Sequence, residues 1–166
     1  MVKRFSHWLL PVLAWLVATD AAGPPPTAFR FDADASAALH LLWDQSSLAK
    51  AERVACLAST VEGDTIRISR IRTLDRERSD SLGISAMASL EGCGPPEWRG
   101  TVHTHVALRE GGRPYSLFSG ADRGVMMMWW QRWKVAGVFC LVYSAEEAIC
   151  EIEGPSGAVI FPRSRY

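Results

Sequence analysis

Two histidines one residue apart, His103 and His105, are the residues of this chain whose type and spacing best suit metal chemistry. Side chains alternate along an extended segment, so both imidazoles point to the same face and can bind one ion. A carboxylate from a nearby helix start would add a third ligand. Such a site leaves a fourth position open for water, which is the arrangement that a catalytic zinc ion needs.

Two further stretches of the chain complete a recognisable pattern around these histidines. His103-x-His105 is followed by Ser119-x-x-Asp122, and Glu52 lies upstream in the run Glu52-Arg53-Val54-Ala55-Cys56. This pattern resembles the signature of the JAMM (MPN+) zinc metallopeptidases, which remove ubiquitin-like modifiers or cut other peptide bonds. The resemblance covers residues 35–162. It implies an α+β domain of the MPN/JAB type, similar to cytidine deaminase, with a mixed, mostly antiparallel sheet flanked by helices.

The resemblance also implies a role for each of the polar residues. His103, His105 and Asp122 would bind Zn²⁺, with water as the fourth ligand. Glu52 would accept a proton from that water and deliver it to the leaving amine. Ser119 would donate a hydrogen bond to the developing oxyanion. The expected function is therefore hydrolysis of a peptide or isopeptide bond in a peptide or protein substrate.

The Ser119-x-x-Asp122 motif and the base Glu52 each have an alternative interpretation. Ser119-x-x-Asp122 taken alone is more typical of a capping box, in which the serine satisfies free N–H groups at a helix start. Other glutamates could act as the base, and Glu97 is the strongest of them because it leads into the histidine segment; the others are Glu62, Glu91 and Glu110.

The chain also departs from the family pattern at three places. Val106 stands where a proline usually follows the second histidine, Ser59 stands where glycine is common, and the loop 107–118 is long. An alternative hypothesis is therefore a non-catalytic, MPN-like binding or scaffold domain of the cell envelope.

The first half of the chain is expected to supply one helix and a hairpin. Asp32 or Asp34 could cap a helix with an apolar stripe formed by Ala35, Leu39, Leu42 and Trp43. His40 lies off this stripe and is given no role. Residues 52–59 and 65–71 alternate as strands around the turn Glu62-Gly63-Asp64, and the isoleucines of the second strand, Ile66, Ile68 and Ile71, suggest one buried face.

The second half is expected to supply a helix and the last strands. Residues 75–81 are charged and predict a solvated loop, 82–90 are ambiguous between a strand and a short helix, and 91–96 are a loop. After Ser119, the spacing of four large side chains predicts a core-facing helical stripe: Met126, Trp129, Trp130 and Trp133. Apolar runs at 135–143, 148–152 and 158–161 predict strands.

Length, charge and the N-terminal stretch limit the class of protein. The chain has 166 residues, which suits one domain with a substantial core. Its 18 basic and 18 acidic residues cancel, so charge gives no argument for nucleic-acid binding. Residues 1–21 are typical of a secretory signal peptide and 22–33 of a proline-rich spacer, followed by the domain at 34–166. We expect a periplasmic or secreted protein; an uncleaved N-terminal membrane anchor is the alternative.

An exported protein can keep its four cysteines as disulfides. If Glu52 and His103 meet at one metal ion, as the resemblance implies, Cys56 and Cys93 come within reach of each other. Cys140 and Cys150 flank the turn Ser144-Ala145-Glu146, which would bring them opposite each other in a hairpin. The pairs Cys56–Cys93 and Cys140–Cys150 are favoured, although the sequence allows three pairings.

Overall fold

A computed structural model describes residues 25–74, 86–106, 109–155 and 157–166 of the chain. The expected signal peptide, the charged run 75–81 and residues 82–85 lie outside these ranges. The described elements, in chain order, are β1 (Ala28–Phe31), α1 (Ala33–Ala49), β2 (Val54–Glu62), β3 (Thr65–Thr73), α2 (Ala86–Gly92), β4 (Gly100–Thr104), β5 (Arg109–Glu110), β6 (Arg113–Pro114), α3 (Gly120–Trp133), β7 (Gly137–Val142), β8 (Glu147–Gly154), β9 (Gly157–Ile160) and β10 (Ser164–Arg165).

Most of the strands belong to one mixed sheet, in the order β1-β3-β2-β4-β7-β8-β10, with β9 also paired to β8. The pairs β1/β3 and β4/β7 are parallel, and the other pairs are antiparallel. Strands β5 and β6 form a separate hairpin inside the loop 107–118. The chain is therefore an α+β domain with a mostly antiparallel sheet flanked by helices, as the sequence predicts.

The two faces of the sheet carry separate apolar cores, because successive side chains of a strand point to opposite sides. Leu39 and Leu42 of α1 pack with Val142 of β7 on one face. Trp129 of α3 packs with Leu141 on the other face. Met126 and Trp129 are buried, whereas Trp130 and Trp133 are only partly buried. Two of the four residues in the predicted stripe of α3 therefore face the core fully, and the other two lie at its edge.

The predicted spacer at 22–33 is wrong over its second half. Residues Ala28–Phe31 form β1, which pairs with β3 in parallel, and Phe29 is buried in the core. Asp32 occupies the N-cap position of α1, but its side chain makes no capping hydrogen bond. Its carboxylate instead accepts hydrogen bonds from Arg67 Nε at 2.8 and 2.9 Å, a partner on β3 that local sequence does not indicate.

A β-bulge explains how the isoleucines of β3 share one face. Strict alternation would send Ile71 to the face opposite that of Ile66 and Ile68. The pairing of β2 with β3 shifts between Ala58 and Ser59, which leaves an extra residue on β3. Ile66 and Ile68 are therefore buried in the same cluster against which Ile71 is packed.

Both predicted disulfides are present. Cys56 of β2 is bonded to Cys93, just after α2, and Cys140 of β7 is bonded to Cys150, its direct partner on β8. Two disulfides indicate an oxidising environment, extracellular or periplasmic. None of the helices among the described residues is long and apolar enough to cross a membrane.

Candidate metal centre

Strand β4 carries the two histidines into the middle of the sheet, between β2 and β7. His103 lies opposite Val54 of β2 and Leu141 of β7. His105 follows the end of the strand, and its backbone N–H donates to the carbonyl of Val142 at 2.9 Å, which extends the pairing. Both side chains point to the face covered by α3, and both residues are buried.

The first turn of α3 supplies the carboxylate. Ser119 is the N-cap of α3, and its Oγ accepts a hydrogen bond from the backbone N–H of Asp122 at 3.3 Å. In return, the Ser119 backbone N–H donates to Asp122 Oδ2 at 2.6 Å. The capping box is thus present, and it fixes the orientation of the Asp122 carboxylate. The Ser119 hydroxyl accepts in this bond, so its own hydrogen is still available to another acceptor.

Three potential ligand side chains meet above β4. His103 Nε2 lies 3.2 Å from His105 Nε2 and 3.3 Å from Asp122 Oδ1, and His105 Nε2 lies 3.5 Å from Asp122 Oδ2. Ligands bonded at about 2.0–2.1 Å to a tetrahedral ion are about 3.3 Å apart. His103, His105 and Asp122 therefore form a group that could hold a metal ion.

A backbone carbonyl orients the second histidine. His105 Nδ1 lies 2.8 Å from the carbonyl oxygen of Tyr115, which can only accept, so the imidazole carries its hydrogen on Nδ1. With this hydrogen on Nδ1, Nε2 of His105 faces the metal position and can bind an ion once it has lost its own hydrogen, the arrangement usual for histidine ligands. The Tyr115 ring stacks on His105 at 6.1 Å, and Phe118 lies 5.8 Å from His103.

The pKa values of Asp122 and His105 depend on the contacts within the group. Burial alone would raise the pKa of Asp122, but hydrogen bonds from His103 and His105 bring it well below its ordinary value. Burial alone would lower the pKa of His105, but its hydrogen bonds to Asp122 and to the Tyr115 carbonyl raise it above its ordinary value, with help from the charge of Glu52. The site thus favours an ionised carboxylate beside its imidazoles.

Glu52 lies just before β2, on the same side of the sheet as the histidines. Val54 pairs with His103, and the N–H of Thr104 donates to the carbonyl of Arg53 at 3.0 Å. Continued by one more residue, this antiparallel register brings Glu52 opposite His105. Glu52 is half-buried, and its charge contributes to the raised pKa of His105.

The alternative bases lie elsewhere. Glu97 is exposed and forms an ion pair with Arg70 at 3.4 Å. Glu62 pairs with Arg30 and Arg67 at the far end of β2, and Glu91 and Glu110 are exposed. Among these glutamates, Glu52 is the one whose charge acts on His105.

The sequence does not reveal the side-chain and backbone contacts that position the candidate metal ligands. Arg123, the residue after Asp122, binds the buried Glu151 of β8 through both terminal nitrogens, with Nη2 at 2.9 Å from Oε1. An acidic residue inside the apolar run 148–152 was the available signal, because buried carboxylates are rarely left unpaired. The carbonyl of Tyr115 has no such signal, since every residue carries one.

No protein-family model matches the chain, and no curated protein matches it in sequence. The geometry of the group and the chemistry of its side chains therefore carry the functional proposal.

Proposed function

We propose that the protein is a zinc-dependent metallopeptidase or isopeptidase of the JAMM type, acting on a peptide or protein of the cell envelope. The observation that carries this proposal is the meeting of His103, His105 and Asp122, with Glu52 just before β2, whose residue Val54 pairs with His103. Two imidazole nitrogens and one carboxylate are a ligand set that zinc commonly takes at catalytic sites. Calcium and magnesium prefer oxygen ligands, so the two nitrogens argue against them.

Zinc held by three protein ligands supplies Lewis-acid chemistry, lowering the pKa of water to about 7 and polarising a carbonyl. In this proposal, Glu52 accepts the proton of the attacking water and passes it to the leaving amine. Ser119 donates its free hydroxyl hydrogen to the oxyanion of the tetrahedral intermediate. Tyr115 and Phe118 contact the two imidazoles and limit the approach of bulk water from their sides.

Metal content and cleavage test this proposal together. Purified protein should carry close to one zinc per chain and should cleave members of a peptide library in a chelator-sensitive manner. Glu52→Gln should keep the zinc and lose hydrolysis, because the amide cannot accept the proton. Asp122→Ala should lose the zinc itself.

Two matched variants sharpen the result. Glu97→Gln removes a carboxylate that pairs with Arg70 away from the group, so it should keep full activity. His40→Ala removes an exposed histidine outside the group, so it should keep the zinc. Full activity in Glu52→Gln would refute the assigned base. A folded, zinc-loaded protein that cleaves nothing would instead favour the non-catalytic binding domain.

A further inference from the structure

A second cluster of polar side chains lies beside the metal group and plays no part in the proposed mechanism. Arg163, in the segment between β9 and β10, donates through Nη2 to Ser116 Oγ at 3.1 Å. Its guanidinium carbon lies 5.4 Å from the centroid of the Tyr143 ring. The three side chains thus come from separate parts of the chain and meet at one place.

Chain connectivity sets this cluster next to His105. Ser116 follows Tyr115, whose carbonyl holds His105 Nδ1. Tyr143 follows β7, and the parallel register that pairs Thr104 with Val142 continues to bring Tyr143 beside His105. Tyr143 also belongs to the apolar cluster on the α3 face, so its ring shares the side of the sheet that carries the imidazoles.

The cluster contains hydrogen-bond donors that lack an acceptor and a cation that lacks a counter-ion. The Tyr143 hydroxyl is buried, and its polar neighbour within the described part of the chain is Arg163, which can only donate, so the hydroxyl hydrogen has no acceptor there. The residue is 6% exposed. Arg163 is exposed at the surface and forms none of the ion pairs found among the described residues. A hydroxyl hydrogen without an acceptor and a guanidinium without a counter-ion are both satisfied by one anionic oxygen pair.

The charge around the cluster favours a carboxylate over a phosphate. One guanidinium and one phenol supply donors for a single planar, singly charged group. Glu147, an exposed carboxylate, acts electrostatically on Tyr143 and would oppose a doubly charged ligand.

We propose that Arg163, Tyr143 and Ser116 form a carboxylate-binding subsite that selects substrates with a free carboxylate close to the bond being cut. The carboxylate is either the C-terminal group of the substrate or an Asp or Glu side chain. The role in substrate selection rests on the proposed peptidase function, whereas the binding of the carboxylate does not.

Binding without turnover tests the subsite independently of catalysis. The probes are acetyl-Ala-Ala and its amide, which differ at the C-terminus, and acetyl-Ala-Glu-amide and acetyl-Ala-Gln-amide, which differ in the side chain. Each is titrated into the full protein while the Arg Nε–H signals are followed by NMR. The Arg163 signal, identified by its loss in Arg163→Met, should shift with at least one acid probe and not with the neutral partner of that probe.

Variants then assign the effect. Arg163→Met should weaken binding of the acid probe roughly tenfold, as expected for loss of a charge-assisted hydrogen bond, and leave the neutral probe unchanged. Tyr143→Phe should weaken it less. Arg165→Met is the matched control, because Arg165 is exposed and contacts Glu146 only loosely, at 3.9 Å.

The outcomes separate the two proposals. A preference for acid probes that persists in Arg163→Met would mean that the carboxylate binds elsewhere, for example at the metal, and would overturn the subsite. Equal binding of acid and neutral probes would also overturn it. A protein that holds no zinc and cuts nothing, yet shows the Arg163-dependent preference, would refute the peptidase and retain the subsite.

Discussion

A bidentate ion pair between Arg123 and Glu151 links the first turn of α3 to the middle of β8. Arg123 directly follows Asp122, so the pair limits how far the metal-facing carboxylate can move. The Glu151 side chain is 3% exposed and that of Arg123 is 42% exposed. The carboxylate is thus fixed inside the protein, and the guanidinium reaches in from the surface.

We expect Glu151→Gln to lower both stability and metal affinity. The amide keeps the shape of the side chain but accepts from only one Arg123 nitrogen. The loss in unfolding free energy should be about 1–3 kcal/mol, below the value for a fully buried pair because Arg123 is partly solvated. Urea unfolding and zinc titration measure the two effects.

Glu146→Gln is the control for this change, because Glu146 is exposed and contacts Arg165 at 3.9 Å. Its effect on stability should stay within about 0.5 kcal/mol. Zinc affinity in Glu151→Gln equal to that of the unchanged protein would show that the ion pair does not position Asp122.

Ser119 has a structural and a proposed chemical task, and two substitutions separate them. Ser119→Ala removes both the cap and the hydroxyl, so it should lower stability by about 1 kcal/mol and kcat by roughly 10²–10³. Ser119→Gly still suits an N-cap and should cost only a few tenths of a kcal/mol, with a similar loss in kcat. Thermal unfolding and steady-state kinetics give the two numbers. Normal kcat in Ser119→Gly would leave Ser119 with the capping task alone.

Local patterns predicted much of this fold because they depend on neighbours in the chain. His103 and His105 share a face wherever their segment is extended, and Cys140 and Cys150 flank a short turn. What the sequence did not reveal depends on distant partners. The Asp32 side chain makes no capping hydrogen bond because its carboxylate is bonded to Arg67 of β3.

The same distinction holds for the candidate site. The types and order of Glu52, Ser119 and Asp122 are visible in the sequence. The support of His105 comes from the backbone carbonyl of Tyr115 and from the alignment of β4 with β7, and neither has a local sequence signature.

The two disulfides should differ in their contribution to stability. Cys56–Cys93 spans a sequence separation of 37 and Cys140–Cys150 one of 10. Loop-closure entropy then gives about 4 kcal/mol for the first and about 3 kcal/mol for the second. We expect the double alanine variant at 56 and 93 to unfold at lower urea than the variant at 140 and 150. The reverse order would show that packing around the bonds outweighs chain entropy.

Stability at high pH should depend on Tyr166. Burial raises the pKa of this phenol, as do the charges of Asp44 and Glu146, and its hydroxyl donates to the Ser144 carbonyl at 2.9 Å. A raised pKa means that the folded protein favours the neutral phenol. The resulting stability is complete below the unfolded pKa of about 10 and is lost as the pH rises above it. Tyr166→Phe loses the hydrogen bond to Ser144 and should be less stable than the unchanged protein near neutral pH. Because only the tyrosine titrates, the difference should shrink in alkaline urea titrations. A constant difference would contradict this.

Two glycines should respond in opposite ways to alanine. At Gly100, where β4 meets β7, an added Cβ would lie 1.7 Å from the carbonyl oxygen of Val138. Because that neighbour is backbone, the strands must separate, and Gly100→Ala should disrupt the parallel pairing that aligns His103.

At Gly124, inside α3, an added Cβ meets nothing within 4 Å, so Gly124→Ala should stabilise the protein by about 0.5–1 kcal/mol. Urea midpoints and zinc content of both variants test this; a Gly100→Ala protein with normal stability and normal zinc would show that β4 does not need its close approach to β7.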